Sequence, residues 1–144
     1  MRKLLNKWRD QRMPIKIIIL VLILMILGHL IADYPLQGWL AQAKAKSYWE
    51  NSPQKNRHDY IAALIGHAVM WGIIVCLPLM FDFQTGGVAD LGLFWLAVPA
   101  NIVVHTVVDD LKANKHKINL WHDQLFHLGQ ILLTWGIWIL INVL

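Results

Sequence analysis

Four long apolar runs constrain this chain more than any other feature of its sequence. They are predicted at residues 17–32 (extending toward 34), 60–80, 91–108 and from 120 or 121 to the end. An α-helix of about 20 apolar residues crosses the hydrocarbon core of a bilayer. Inside lipid every backbone N–H and C=O must be paired within the segment, which a helix achieves by itself. The sequence therefore predicts an all-α integral membrane bundle of four transmembrane helices.

The composition agrees with membrane helices rather than with a soluble core. Apolar residues make up 57% of the chain and charged residues 15%, whereas soluble domains are nearer half apolar and about one quarter charged. The formal net charge is +4, but the basic residues flank the apolar runs and form no patch interleaved with aromatic residues. Membrane lipid is thus the expected partner, no nucleic acid is expected, and a homo-oligomer or a membrane-protein partner stays open.

The polar segments between the runs predict how the chain is organised. Residues 1–13 are basic, with apolar residues at helical spacing, and indicate an amphipathic segment on the membrane surface. Residues 14–144 are predicted to form a single four-helix transmembrane domain. Pro35 ends or bends the first span, and the apolar spacing over 36–43 predicts an interfacial helix after it. Loops or turns are predicted at 49–58, 81–90 and 110–119.

Each predicted span contains polar side chains that a purely structural membrane helix does not need. They are His29 and Asp33 in the first span, His67 in the second, His105 and Asp109 in the third, and Asp123 and His127 in the fourth. Residues four apart lie on one helix face. Because successive spans alternate in direction, all four groups are predicted at the same end of the bundle, at a comparable depth. This agreement predicts a shared site.

Two interpretations of this polar set remain open on the sequence alone. In one, the side chains only join helices through hydrogen bonds, as is expected of Asn101 and Gln130. In the other, the set has a function, because charged groups within spans are costly and usually mark functional sites. The histidines at 58, 116 and 122 lie in or beside loops and are expected to be exposed.

Imidazole and carboxylate groups are ligands that divalent metals such as Zn or Mn accept. The candidate metal ligands are His29, Asp33, His67, His105, Asp109, Asp123 and His127. Asp33, Asp109 and Asp123 are also the candidate catalytic carboxylates, which would activate water. Gln37, Gln124 and Lys112 are the candidate substrate-binding residues. The single cysteine, Cys76, excludes a multi-cysteine metal site and an intramolecular disulfide.

These motifs also resemble a known family. Its pattern is an H-x-x-x-D-[YF]-x-x-Q segment, a mid-chain His, an H-x-x-x-D segment and a D-Q-x-x-H segment. Here the corresponding segments are HLIADYPLQ at 29–37, His67, HTVVD at 105–109 and DQLFH at 123–127. Over about residues 28–130 the chain resembles the small bacterial and phage membrane proteins known as domain of unknown function 3307. The resemblance implies a multi-pass protein of the bacterial inner membrane with a His/Asp/Gln set, but no activity.

The leading functional hypothesis is a metal-dependent hydrolase that acts on a lipid or amphipathic substrate at the membrane surface. Two other classes stay open. The first is a non-enzymatic interaction or structural protein of the membrane, and the second is an ion or proton pathway, which also uses His and Asp within spans.

Overall fold

The structure, a computed structural model, describes residues 13–50, 56, 58–82, 87–88 and 91–142. In chain order its helices are α1 (Ile15–Asp33), α2 (Leu40–Ala43), α3 (Lys46–Glu50), α4 (Asp59–Cys76), α5 (Leu91–Ala113) and α6 (Leu120–Asn142). A 3₁₀ helix, Leu77–Met80, continues α4, and the two-residue strands β1 (Phe81–Asp82) and β2 (Gly87–Val88) pair antiparallel. The predicted basic amphipathic segment 1–13 lies, except for Met13, outside the described residues.

The four long helices pack in a ring in which α1 contacts α4, α4 contacts α5, α5 contacts α6 and α6 contacts α1. The short helices α2 and α3 pack against α4 at one end of this ring. Ala43 and Lys44, at the end of α2, are buried there. The predicted interfacial helix after the first span is therefore present, although it is shorter than the spacing over 36–43 predicted.

The outside of the bundle is as apolar as its core, which is the distribution expected of helices surrounded by lipid. Leu96, Trp121 and Leu133 are between 67% and 78% exposed, whereas Val21 and Trp71 inside the bundle are fully buried. All four long helices, the second counted with its 3₁₀ extension, are long and apolar enough to cross a membrane. The predicted all-α bundle of four membrane-spanning helices is confirmed.

Two glycines allow the helices to approach each other closely. A Cβ atom added at Gly28 of α1 would lie 3.1 Å from the carbonyl oxygen of Ile74 on α4. A Cβ atom added at Gly72 of α4 would lie 2.9 Å from a side-chain carbon of Ile102 on α5. Small residues at such positions are typical of helix packing in membranes, because association there depends on close van der Waals contact.

Two predicted loop boundaries are wrong. Helix α5 continues five residues past position 108, so Asp110 and Lys112 are helical rather than part of a loop. These polar residues stay in the helix because they find partners: Asp110 accepts a hydrogen bond from Asn114 at 2.9 Å. Likewise, α3 includes the first two residues of the loop predicted at 49–58. There the Trp49 indole N–H donates to the carbonyl oxygen of Ala43 at 2.5 Å.

Candidate metal centre

The polar side chains of the four long helices converge at one end of the bundle, as the alternation of helix direction predicts. They form the His/Asp cluster, defined as His29, Asp33, His67, His105, Asp109, Asp123 and His127. Asp33 is 9% exposed at its side chain and the other six are at most 2% exposed. Helix α1 supplies two members from its last two turns, and α6 supplies two from its first two turns. The cluster is therefore a deeply buried polar layer across all four helices.

Asp33, His67 and His105 form one group that could hold a metal ion, each offering one ligand atom within 4.8 Å of the others. Asp33 Oδ1 lies 3.1 Å from His67 Nε2 and 4.0 Å from His105 Nε2. Asp109 Oδ2 also lies 3.6 Å from each of these two nitrogens. Four potential ligand atoms from α1, α4 and α5 thus surround one small volume.

His105, Asp109 and His127 form a second group that meets the same distance criterion. His127 Nε2 lies 3.7 Å from Asp109 Oδ1 and 3.5 Å from Asp123 Oδ1. The His105 and His127 rings stack with centroids 4.1 Å apart and planes inclined by 24°. The two groups share His105, and the two oxygens of Asp109 face different histidines, so this carboxylate lies between them.

Several buried polar atoms of the cluster have no hydrogen-bond partner within the described part of the chain. They are His67 Nδ1, both ring nitrogens of His105, both ring nitrogens of His127, and Asp123 Oδ1. Such orphaned atoms are rare in proteins, because each loses its hydration without compensation. The ligands of a tetrahedral zinc ion lie about 3.3–3.6 Å apart, given metal–ligand bonds of about 2.0–2.2 Å. Separations of 3.5–4.0 Å here are close to this spacing and long for hydrogen bonds, so the donor set fits a metal.

The charges of the cluster are incompletely balanced. Lys44 Nζ donates to Asp109 Oδ2 at 2.7 Å, and Lys112 Nζ donates to Asp123 Oδ2 at 2.5 Å. Asp33 has no lysine partner among the described residues. With neutral imidazoles, three carboxylates and two ammonium groups leave one negative charge in a buried layer. A bound cation would offset the cost of that charge.

Amides and lysines close the mouth of the cluster. With its amide oriented to satisfy both neighbours, Gln37 presents its oxygen to Lys44 Nζ at 2.5 Å and to His67 Nε2 at 3.1 Å. The proton of a neutral His67 ring is then on Nε2, and it would move to the unpartnered Nδ1 when Nε2 binds a metal. Gln124 bonds to His29, Asp33 and Asp123. All three residues predicted to bind substrate, Gln37, Gln124 and Lys112, therefore contact the cluster. The Lys112 side chain is 30% exposed.

Two residues that contact the cluster, Lys44 and Trp71, are not among the predicted site residues. Lys44 lies after a short interfacial helix, where no periodicity predicts its direction, yet it is buried against Asp109. Trp71 lies four residues after His67, a spacing that could have placed it on the same helix face. Its indole stacks on the His105 ring with centroids 4.4 Å apart.

The remaining polar residues behave as the sequence predicted. Gln130 Nε2 donates to the carbonyl oxygen of Asn101 at 2.7 Å, and the Asn101 amide donates to Thr134 Oγ1 at 3.0 Å. These bonds join α5 to α6 below the cluster. The histidines at positions 58, 116 and 122 are exposed.

The fold and the cluster define a class, a four-helix membrane-type bundle with a buried His/Asp layer at one end. Comparison with family models, curated proteins and solved structures finds no match to the chain. The resemblance to domain of unknown function 3307 therefore stays a prediction.

Proposed function

We propose that this protein is a metal-dependent hydrolase that acts on a lipid or other amphipathic substrate at the membrane surface. The observation that supports it is the convergence of buried, unpartnered imidazole and carboxylate atoms at one end of a lipid-facing bundle. Ionisable groups at such positions are expensive and usually functional. A set of helix-joining bonds would pair these atoms with each other instead.

The ligands in this proposal are Asp33, His67, His105, Asp109 and His127, the members of the two distance-defined groups. The absence of a thiolate and the presence of imidazole and carboxylate favour Zn or Mn. A divalent metal bound there would supply Lewis acidity and a water of lowered pKa. Asp123 lies outside both groups but has one oxygen without a partner in the described residues, so it is the carboxylate best placed to accept a proton from water.

The charges of the cluster and the surface beside it support this substrate class. Lys112, which is 30% exposed at the mouth, donates one hydrogen bond to Asp123 and has further ammonium protons that favour an anionic headgroup, such as a phosphorylated one. An apolar groove with a volume of about 350 Å³ lies between α5 and α6. Val104 and Gln130 line this groove, and they lie next to His105 and three residues after His127 in the sequence. An acyl or prenyl chain in the groove would place its headgroup near the cluster.

The same proposal assigns the protein to the bacterial inner membrane as a multi-pass protein. Four helices of membrane-spanning length and apolarity support the multi-pass part. The bacterial inner membrane is what the resemblance to domain of unknown function 3307 implies.

Elemental analysis of the purified, detergent-solubilised protein tests the metal site. We expect a divalent metal in near-stoichiometric amount, and its loss in His105→Gln, because His105 belongs to both ligand groups. The matched control is His122→Gln, which replaces an exposed histidine on α6 and should retain the metal. In parallel, mixed micelles of phospholipid and of a lipid phosphomonoester should release phosphate or fatty acid in a metal-dependent manner.

A wild-type protein without metal, after growth in zinc and manganese, would contradict the proposal and favour a structural or proton-pathway role. A metal-loaded protein that hydrolyses neither ester type would contradict the hydrolase assignment and leave the metal site standing. These two results distinguish a failure of the proposed metal site from a failure of the hydrolase assignment.

A further inference from the structure

We propose that Trp71, His29 and Gln124 form a hydrogen-bonded chain that positions Asp33, a proposed metal ligand, and Asp123, the proposed proton acceptor, at the metal site. In this arrangement His29 is a positioning residue and not a metal ligand. The inference rests on the proposed metal site, because it concerns which atoms that site leaves free.

The direction of the chain is fixed by its first member. The Trp71 indole N–H, which can only donate, lies 2.9 Å from His29 Nδ1. His29 Nδ1 must therefore accept, so the proton of a neutral His29 ring is on Nε2. His29 Nε2 in turn lies 3.1 Å from Gln124 Oε1, to which it donates. Both ring nitrogens are thus occupied, and His29 has no lone pair available for a metal.

Gln124 extends the hydrogen-bonded chain to two carboxylates. Because its oxygen accepts from His29, its amide nitrogen faces Asp33 Oδ2 at 3.3 Å and Asp123 Oδ2 at 3.1 Å. Ionised carboxylates only accept hydrogen bonds, so these contacts agree with the same amide orientation. The chain Trp71–His29–Gln124 therefore runs as donor to acceptor at every link.

Gln124 holds each carboxylate through its Oδ2 atom, and the Oδ1 atom faces the proposed metal site. Asp33 Oδ1 faces His67 and His105, at 3.1 and 4.0 Å. Asp123 Oδ1 has no partner in the described residues and lies 3.5 Å from His127 Nε2. Outer groups that orient metal ligands typically raise metal affinity, and their loss costs about 10–100-fold. Since Trp71 and His29 are almost fully buried, water cannot easily replace their bonds.

Cobalt substitution separates a positioning role from ligation, because the visible absorption of bound Co²⁺ reports its ligand set. In His29→Leu we expect unchanged Co²⁺ stoichiometry and spectrum but a Kd raised about 10–100-fold. Gln124→Met, which loses the amide, should behave in the same way. His29→Gln should recover much of the affinity, since its side-chain amide can still donate to Gln124. Trp135→Phe is the control, because it removes a tryptophan bond to the Ile18 carbonyl, away from the cluster.

An altered Co²⁺ spectrum or lost stoichiometry in both His29→Leu and His29→Gln would overturn the inference and make His29 a ligand. Unchanged affinity in both His29→Leu and Gln124→Met would also overturn it. A second measurement needs no metal: ¹⁵N NMR of histidine-labelled protein should find His29 in the Nε2–H tautomer, and an Nδ1–H tautomer refutes the chain. Failure of the wild type to bind Co²⁺, with the Nε2–H tautomer present, would instead refute the proposed metal site.

Discussion

At the scale of single residues, the two ion pairs of α5 differ because their surroundings differ. Lys44 and Asp109 pair with side chains only 7% and 2% exposed. Lys115 and Asp110 pair at a similar distance, 2.9 Å, but with 52% and 21% exposure. Removing one partner of a buried pair leaves an uncompensated charge, whereas water replaces the partner of an exposed one.

We therefore expect Lys44→Met to lower the free energy of unfolding of the metal-free protein by about 3–5 kcal/mol. Lys115→Met should cost about 0–1 kcal/mol. Unfolding in mixed detergent micelles measures both. Added Zn²⁺ should stabilise Lys44→Met more than the wild type, because the metal replaces the lost cation beside Asp109. Equal losses of unfolding free energy in the two variants would show that the Lys44–Asp109 pair is solvated.

At the scale of secondary-structure elements, the cluster depends on how closely the helices approach. Gly28 precedes His29 directly in α1, and its Cα faces the backbone of α4 at Ile74. A backbone oxygen cannot rotate away as a side chain can, so a larger residue at 28 must separate the two helices. That separation would move His29 and Asp33 relative to His67 on α4.

Gly28→Ala is expected to lower the stability by roughly 1–3 kcal/mol and to weaken metal binding at the same time. Gly66→Ala on α4 is the matched control, since a Cβ there meets nothing within 4 Å. It should stabilise the helix by about 0.5–1 kcal/mol, because glycine is a poor helix former. Unfolding free energies and Zn²⁺ titrations of both variants test this, and an undisturbed metal affinity in Gly28→Ala would count against close packing at the site.

At the scale of the whole molecule, the distribution of basic residues bears on orientation. Lys and Arg number six in residues 1–16, four in 35–59, none in 81–90 and three in 110–119. The membrane side of the N-terminal tail therefore has six basic residues and the opposite side has seven, so the totals do not determine the orientation. The flanks of the first span usually dominate, and six against four favours the N-terminal tail in the cytoplasm. The cluster, at the other end of the bundle, then faces outward.

Cysteine labelling in intact cells tests this orientation in a Cys76→Ser background. Single cysteines replace Lys117 and Asn142, which are exposed at opposite ends of the bundle. We expect a membrane-impermeant maleimide to label position 117 and to spare position 142 until the cells are lysed. Labelling of 142 alone in intact cells would place the cluster in the cytoplasm and change which substrates reach it.

The sequence alone determined which segments form the long helices and at which end of the bundle the polar residues lie. Runs such as 17–32 are expected to be helical in lipid because a helix pairs the whole backbone within one segment, and the four-residue spacing of His105 and Asp109 places them on one helix face. Alternating helix direction then brings the polar groups to one end. These features are local or follow from a bilayer of fixed thickness, so they can be read from the order of residues.

Only the tertiary structure decided which atom faces which. From sequence spacing, His29 and His127 were equivalent candidate metal ligands. The rotation of α4, however, directs the Trp71 N–H to His29 Nδ1. Nor does any pattern within 40–50 predict that Lys44 reaches Asp109, 65 positions away. Helix rotation, helix separation and the burial of a single lysine depend on contacts between distant segments, which local periodicity does not encode.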